Sequence, residues 1–263
     1  MMLGAIVGDI VGSRFEFNNY RAKDFELFSA KCFATDDSIM TLAVCTALSK
    51  CKPDYSDLEK LAVEWMQSFG RMYPDAGYGG RFCQWIDSFN PQPYNSWGNG
   101  SAMRVSPVAY VAKSLEEVKE LSYKVTCVTH NHPEGIKGAE ATAIATYMAL
   151  HGATMAEIRD IIIKDYYKID FSLAEIRGTY EFNESCQDTV PQAMEAFFES
   201  INFEDAVRNA ISVGGDSDTL AAITCAVAGA YYGVPEEIAN KAMEYLDSTG
   251  KAVLENFSKL KVV

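Results

Sequence analysis

The chain has 263 residues, 48% of them hydrophobic and 12% aromatic, with a formal charge of −13, so apolar material for a sizeable core is ample. That charge excludes nucleic acid as a partner, because phosphate-backbone binding needs a basic face, and any phosphate-bearing ligand must be held locally. No apolar run approaches the roughly 20 residues that cross a bilayer, so no membrane partner is expected. The apolar opening Met1 to Val11 has no basic lead and carries Asp9, unlike an export signal. Seven cysteines, odd in number and without a C-x-x-C pair, read as reduced core residues of a cytoplasmic protein.

In chain order, Met2 to Gly12 reads as a helix with Gly4, Gly8 and Gly12 on one stripe, where a second helix can approach closely. Glu16 follows, then a polar, aromatic stretch from Phe17 to Phe28 without a period, read as a mobile loop over a site. Thr35-Asp36-Asp37-Ser38 stands directly before the apolar run Ile39 to Leu48. Ser56-x-x-Glu59, Ser114-x-x-Glu117 and Thr154-x-x-Glu157 are capping boxes, each opening a run with a period of about 3.6. Asn95 to Ser101 is a glycine-rich turn entering a helix Ala102 to Val111, which Pro107 kinks or restarts. Pro133 to Leu150 is alanine-rich and helical, closed by His151-Gly152. Tyr166 to Cys186 breaks the helical rhythm and reads as an irregular excursion. Thr189 to Gln192 opens a helix Met194 to Phe198, Asn202 caps Phe203 to Ile211, and Pro235-Glu236-Glu237 starts another. Gly214-Gly215-Asp216-Ser217-Asp218-Thr219 turns into the buried run Leu220 to Tyr232, which Gly233 stops. Strand-like alternation is almost absent, so the expected fold is all-α, one compact multi-helix domain over residues 1–263.

Each acidic cluster alone reads as a helix cap, since carboxylates are favoured at a helix N-terminus. Two aspartates and a hydroxyl against a small-residue core helix also repel unless a cation lies between them. Together the clusters offer carboxylate and hydroxyl oxygens without thiolate or obligatory imidazole, the set a hard divalent ion takes. Thr35, Asp36, Asp37, Asp216, Asp218 and Thr219 are therefore expected to meet around one or two Mg2+ or Mn2+ ions. The turn Ser96, Gly98, Asn99, Gly100, Ser101 could present free N–H groups to a diphosphate, and Trp97 a flat face to a purine; alone, the segment is a plain loop. Arg104 is expected to partner an internal carboxylate. His130 and His132 form an H-x-H pair, whose spacing is compatible with zinc and whose plain reading is structural, beside the helix N-cap before Pro133. G-x-S-x-G, Walker A, Rossmann and H-E-x-x-H patterns are all absent from the sequence.

T-D-D-S at Thr35 to Ser38 and G-G-D-S-D-T at Gly214 to Thr219 resemble paired elements of the ADP-ribosylglycohydrolase family, of the dinitrogenase-reductase-activating type. Gly98 to Arg104 is similar to that family's G-N-G-x-A-M-R segment, and Thr129 to Pro133 to its T-H-x-H element. Gly8-Asp9, Gly12 and Glu16 resemble its opening, so five elements in order span Gly8 to Tyr232. The resemblance implies an orthogonal helical bundle and two Mg2+ or Mn2+ ions. The implied reaction is hydrolysis at C1″ of ADP-ribose by metal-activated water, freeing an arginine or serine side chain. It also implies that His130 meets the substrate's ribose or phosphate and that Glu16 sits on a flap near the metals. Asp36, Glu16 and Asp37 are then the catalytic candidates, Asp36 ahead of Glu16 as base for the water and behind it at the leaving group. ADP-ribose or an ADP-ribosylated protein is the expected partner. The alternatives are a hydrolase of a small derivative such as O-acyl-ADP-ribose, and a non-catalytic ADP-ribose-binding module.

Overall fold

The computed structural model describes residues 2–260. Among them the helices are, in order, α1 (Gly4–Gly12), α2 (Asp36–Lys50), α3 (Leu58–Met72), α4 (Gly80–Asp87), α5 (Leu115–Thr126), α6 (Pro133–Leu150), α7 (Met155–Asp165), α8 (Leu173–Ile176), α9 (Cys186–Phe198), α10 (Phe203–Val213), α11 (Ser217–Tyr232), α12 (Glu236–Met243) and α13 (Ser248–Ser258). No sheet forms among the described residues, and a lone antiparallel bridge joins Gly98 to Ser185.

The centre is the contact of α1 with α11. Every residue of α1 is buried, as is α11 from Ser217 to Ala228. The glycine stripe makes the close approach. A β-carbon at Gly4 would lie 2.0 Å from the Cys225 carbonyl oxygen, at Gly8 2.1 Å from that of Ala221, and at Gly12 2.5 Å from Asp218 Cα. Helices α6, α9 and α10 pack around the rest of α11, while α2 lies between α1, α3 and α13. Apolar side chains from nearly every helix join one continuous core, which supplies the dominant stabilisation.

Local chemistry departs from the expected pattern in several places. Thr154 and Glu157 form a full capping box, whereas Ser114 caps Glu117 N–H but the Glu117 carboxylate turns to Lys113 N–H. The box expected at Ser56 does not form, because the Ser56 hydroxyl and N–H both donate to Asp54. The helix expected from Ala102 to Val111 is replaced by 3-10 turns at Asn99–Ser101 and Ser106–Tyr110, Pro107 lying early in the second. Helix α9 begins at Cys186, capped by the Ser185 side chain, and accommodates Pro191 in its interior. Within the stretch expected to be irregular, Ser172 and Glu175 form a complete capping box that starts α8.

The Phe17–Phe28 segment is tied to the body of the molecule. Arg21 donates to the carbonyls of Arg177, Tyr180 and Val213, and Asn19 Oδ1 accepts from Gly215 N–H at 2.7 Å. Arg208 donates to the carbonyls of Lys23 and Phe25, and Phe15, Tyr20 and Phe25 cluster their rings. These bonds join the segment directly to the acidic turn that precedes α11.

The stripe makes a sharp prediction. Gly8→Ala places a methyl into the Ala221 backbone, so urea unfolding should show a loss of about 3 kcal/mol, at the severe end for overpacking. Gly178→Ala, exposed and with no atom within 4 Å of its added carbon, should stay within about 0.5 kcal/mol of the parent.

Candidate functional site

The two acidic clusters meet. Thr219 Oγ1 donates to Asp37 Oδ2 at 3.3 Å, across 182 positions of sequence. Carboxylate oxygens of Asp9, Asp37 and Asp218 lie within 4.8 Å of one another, as do those of Glu16, Asp216 and Asp218. Asp218 belongs to both groups. The geometry follows from the helices: Asp37 sits in the first turn of α2, Asp218 in the first turn of α11, and Asp9 on α1, whose glycine stripe brings it against α11.

Asp9 was not among the expected ligands, although Gly8-Asp9 lies in the matched opening segment. It is fully buried and accepts from both the backbone and hydroxyl groups of Thr35 and of Ser38. The Thr35 hydroxyl is thereby engaged with Asp9 at 2.6 Å, as a helix cap and carboxylate anchor. Asp36 lies outside both carboxylate groups but faces the same cavity.

Burial and mutual repulsion raise the proton affinity of the cluster. Burial foremost, opposed by the Ser38 and Thr35 hydrogen bonds, pushes Asp9 up to about 6. Burial, then the charges of Asp216, Asp9 and Glu184, pushes Glu16 up to about 7. Burial, then Asp9, Asp216 and Glu16, pushes Asp36 up to about 8. Asp37 and Asp218 are held well above the carboxylate range, by burial first and neighbouring aspartates second. Asp37 Oδ1 and Asp218 Oδ1 are both buried without a hydrogen-bond partner among the described residues. Unpartnered carboxylate oxygens in a repelling group fit a hard divalent cation, which supplies the missing counter-charge and coordination.

A cavity of about 250 Å³ opens onto these carboxylates. Of the expected ligand-binding residues, Ser96, Gly98, Asn99, Gly100 and His130 line it, together with Glu16, Asp36, Asp37, Asp216, Asp218 and Thr219. Asn99 joins the turn to the acids, its amide donating to Asp216 Oδ2 at 2.7 Å and to Thr189 Oγ1 at 3.1 Å. Two expected residues lie off the wall. Ser101 is buried beneath the turn and donates to the Gly135 carbonyl at 2.7 Å. Trp97, 47% exposed, sets its ring edge-on against His132. His132 itself caps α6 by accepting Glu134 N–H. Arg104 finds no carboxylate: it is buried, donates to the Thr129 hydroxyl and lies over the Phe82 ring.

Arg104 lines the cavity too, and so do residues that had not stood out in the sequence, among them Arg81, Phe82, Tyr94, Phe182 and Glu184. The last two come from the Tyr166–Cys186 stretch, where the Glu184 carbonyl accepts Asn99 N–H at 2.7 Å. The bridge between Gly98 and Ser185 fixes this contact.

An all-helical frame that gathers carboxylates from both ends of the chain beside a glycine-rich turn defines the class of fold. The chain belongs to the ADP-ribosylglycohydrolase family, whose model matches residues 1–261. It is 29% identical over 268 residues to the ADP-ribosylarginine hydrolase Tri1 of Pseudomonas putida, covering 89% of this chain and 70% of that one. It is 24% identical over 313 residues to the human ADP-ribosylhydrolase ARH3, covering 89% of this chain and 85% of the relative. Among solved structures, an ADP-ribosylglycohydrolase-related protein complex superposes with a TM-score of 0.70 at 22% identity, over 98% of this chain and 95% of the other; that likeness speaks to the fold.

Two predictions concern the acids. The cluster's carboxyls have higher pKa values in the folded chain than in the unfolded one, so the metal-free fold binds the extra protons. Their contribution to stability is therefore lost as pH rises from about 4 through about 8. Chelator-treated protein should melt at progressively lower temperature between about pH 5.5 and pH 8, and added Mn2+ should raise Tm most at the upper end. Asp218→Asn removes one repelling charge. At about pH 8 it should melt higher than the parent when metal-free yet lose most of the Mn2+-induced rise.

Proposed function

We propose that this protein is a divalent-metal-dependent hydrolase of the glycosidic bond at C1″ of ADP-ribose, releasing ADP-ribose from a modified side chain. The observation that carries the reading is the meeting of Asp37 and Asp218, each with a buried carboxylate oxygen that has no hydrogen-bond partner among the described residues. Family membership and relatives named for ADP-ribosylarginine and ADP-ribosyl hydrolysis support the substrate class. We take residues 1–263 as one domain, a reading supported by the continuous core.

In this reading Asp9, Asp37 and Asp218 hold one Mg2+ or Mn2+, and Glu16, Asp216 and Asp218 a second. When bound, such ions orient ribose hydroxyls and acidify a water. Cleavage at C1″ passes through an oxocarbenium-like state, so positive charge grows on the sugar beside a wall of carboxylates. Asp36 is the base for the attacking water. It borders the cavity and stands outside both ligand groups, so in this reading its oxygens remain available to the water. Glu16 also lines the cavity, and in this reading its carboxylate oxygen not given to the second ion contacts the leaving group. The turn Gly98 to Gly100 and the Ser96 hydroxyl receive the phosphates; the Gly100 N–H and the Ser96 hydroxyl are the donors in this reading, since Gly98 N–H donates to Ser96 Oγ and Asn99 N–H to the Glu184 carbonyl.

A hydrolase of O-acyl-ADP-ribose uses the same parts, and one experiment separates the readings. Arginine-linked, serine-linked and O-acyl ADP-ribose are incubated with the protein and Mg2+ or Mn2+, and free ADP-ribose is measured. The expected result is release from a protein-type linkage that chelator abolishes and Asp36→Asn slows at least about 100-fold. Turnover that survives chelation would overturn the metal; release from the O-acyl compound alone would reassign the substrate.

A further inference from the structure

The turn between α5 and α6 holds a hydrogen-bond chain that the reaction scheme leaves unused. Arg104, 2% exposed, donates through Nη2 to Thr129 Oγ1 at 2.6 Å. The same hydroxyl lies 2.7 Å from His130 Nδ1 and 3.4 Å from the Thr126 carbonyl oxygen. A hydroxyl has one proton to donate. The Thr126 oxygen already accepts the backbone N–H of Thr129 at 3.2 Å and of His130 at 2.9 Å, which occupies both its lone pairs. Nδ1 is the nearer acceptor and the unoccupied one. In a neutral imidazole whose Nδ1 accepts, the hydrogen resides on Nε2.

That nitrogen faces the glycine turn. β-Carbons built on Gly98 and Gly100 would lie 3.5 Å and 3.6 Å from it. Among the described residues no protein group hydrogen-bonds to it, while Tyr94, its ring centroid 5.9 Å away, packs beside the imidazole. Burial, and then the Arg104 charge, holds the His130 pKa well below its usual value, so the ring is neutral.

We propose that Arg104 and Thr129 are positioning residues that lock His130 as its Nε2–H tautomer, giving the cavity one neutral N–H donor above the glycine turn for a ligand oxygen. Neutrality matters beside the six carboxylates that line the cavity, because an imidazolium there would pair with an acid and compete with the cation. A locked N–H donates to an acceptor oxygen and rejects a group that can only donate. The shared chemistry is that of an acceptor oxygen, on a phosphate or on ribose. Only this ligand half rests on the proposed function; the tautomer does not.

The chain's three histidines make the test tractable. Two-bond 1H–15N spectra of the labelled full-length protein report which ring nitrogen carries the proton. The wild type and Thr129→Ser should show His130 as Nε2–H at neutral pH, and Thr129→Val should lose that fixed tautomer. A wild-type His130 protonated at Nδ1, or an unchanged tautomer in Thr129→Val, would overturn the proposal. Binding of ADP-ribose, ADP and ribose 5-phosphate in the presence of Mn2+ forms the second arm. Thr129→Val should weaken ADP-ribose about tenfold, with Mn2+ affinity unchanged and Thr129→Ser restoring it. Parallel weakening of ADP assigns the oxygen to phosphate, and of ribose 5-phosphate without ADP to ribose. Equal ADP-ribose affinity in Thr129→Val and wild type would overturn the donor role. A wild type with the stated tautomer but no affinity for ADP-ribose would sink the proposed function and leave the relay standing.

Discussion

The close contact of α1 with α11 sets the geometry of everything else. Three glycines let two helix backbones approach to distances that no β-carbon would allow. Through that contact Asp9 on one helix and Asp218 on the other come within reach of Asp37. Helix packing is ordinarily favourable on its own account, but here it forces carboxylates together out of water, where they repel. The protein thus holds its acids against an electrostatic gradient, and apolar burial around α11 is what opposes it.

Much of this was legible in the sequence, for physical reasons. Three glycines spaced four residues apart on a short apolar helix have few meanings besides close approach, and the structure has that approach. Paired aspartates before two apolar helices pointed to a meeting of the two clusters, and their carboxylates do meet. All-helical architecture followed from the repeated helical period and the near absence of alternation. What escaped was non-local. Asp9 sits mid-helix among apolar residues, with no local mark that its partners are the hydroxyls of Thr35 and Ser38. Trp97 had the right chemistry for a purine platform, but its ring direction depends on His132, which the chain's order does not reveal. Arg104 was expected beside an acid because a buried guanidinium needs partners, and a hydroxyl and an aromatic face serve instead.

The segment Tyr166–Cys186 shows why irregular stretches are hard to read. It lacks a period because it performs several unrelated tasks in succession. It caps a short helix, slots the Tyr180 ring beneath Gly215, turns Phe182 and Glu184 to the cavity, and bridges to Gly98. The cap is local, Ser172 to Glu175, but the other tasks are each set by a partner far away in sequence, which no local pattern announces.

The floor and the mouth of the cavity are built from different material. At the floor, Gly215 has φ of 75° with the Tyr180 ring 2.5 Å from where a side chain would begin, and Gly12 presses on Asp218. Substitution there disturbs the backbone itself. At the mouth, Phe17, 86% exposed, stacks on Phe182, and both rings project from segments outside the helices. Under the proposed reaction, such a division leaves descendants of this chain free to trade one leaving group for another by editing the rim, while the acidic centre stays under steric lock.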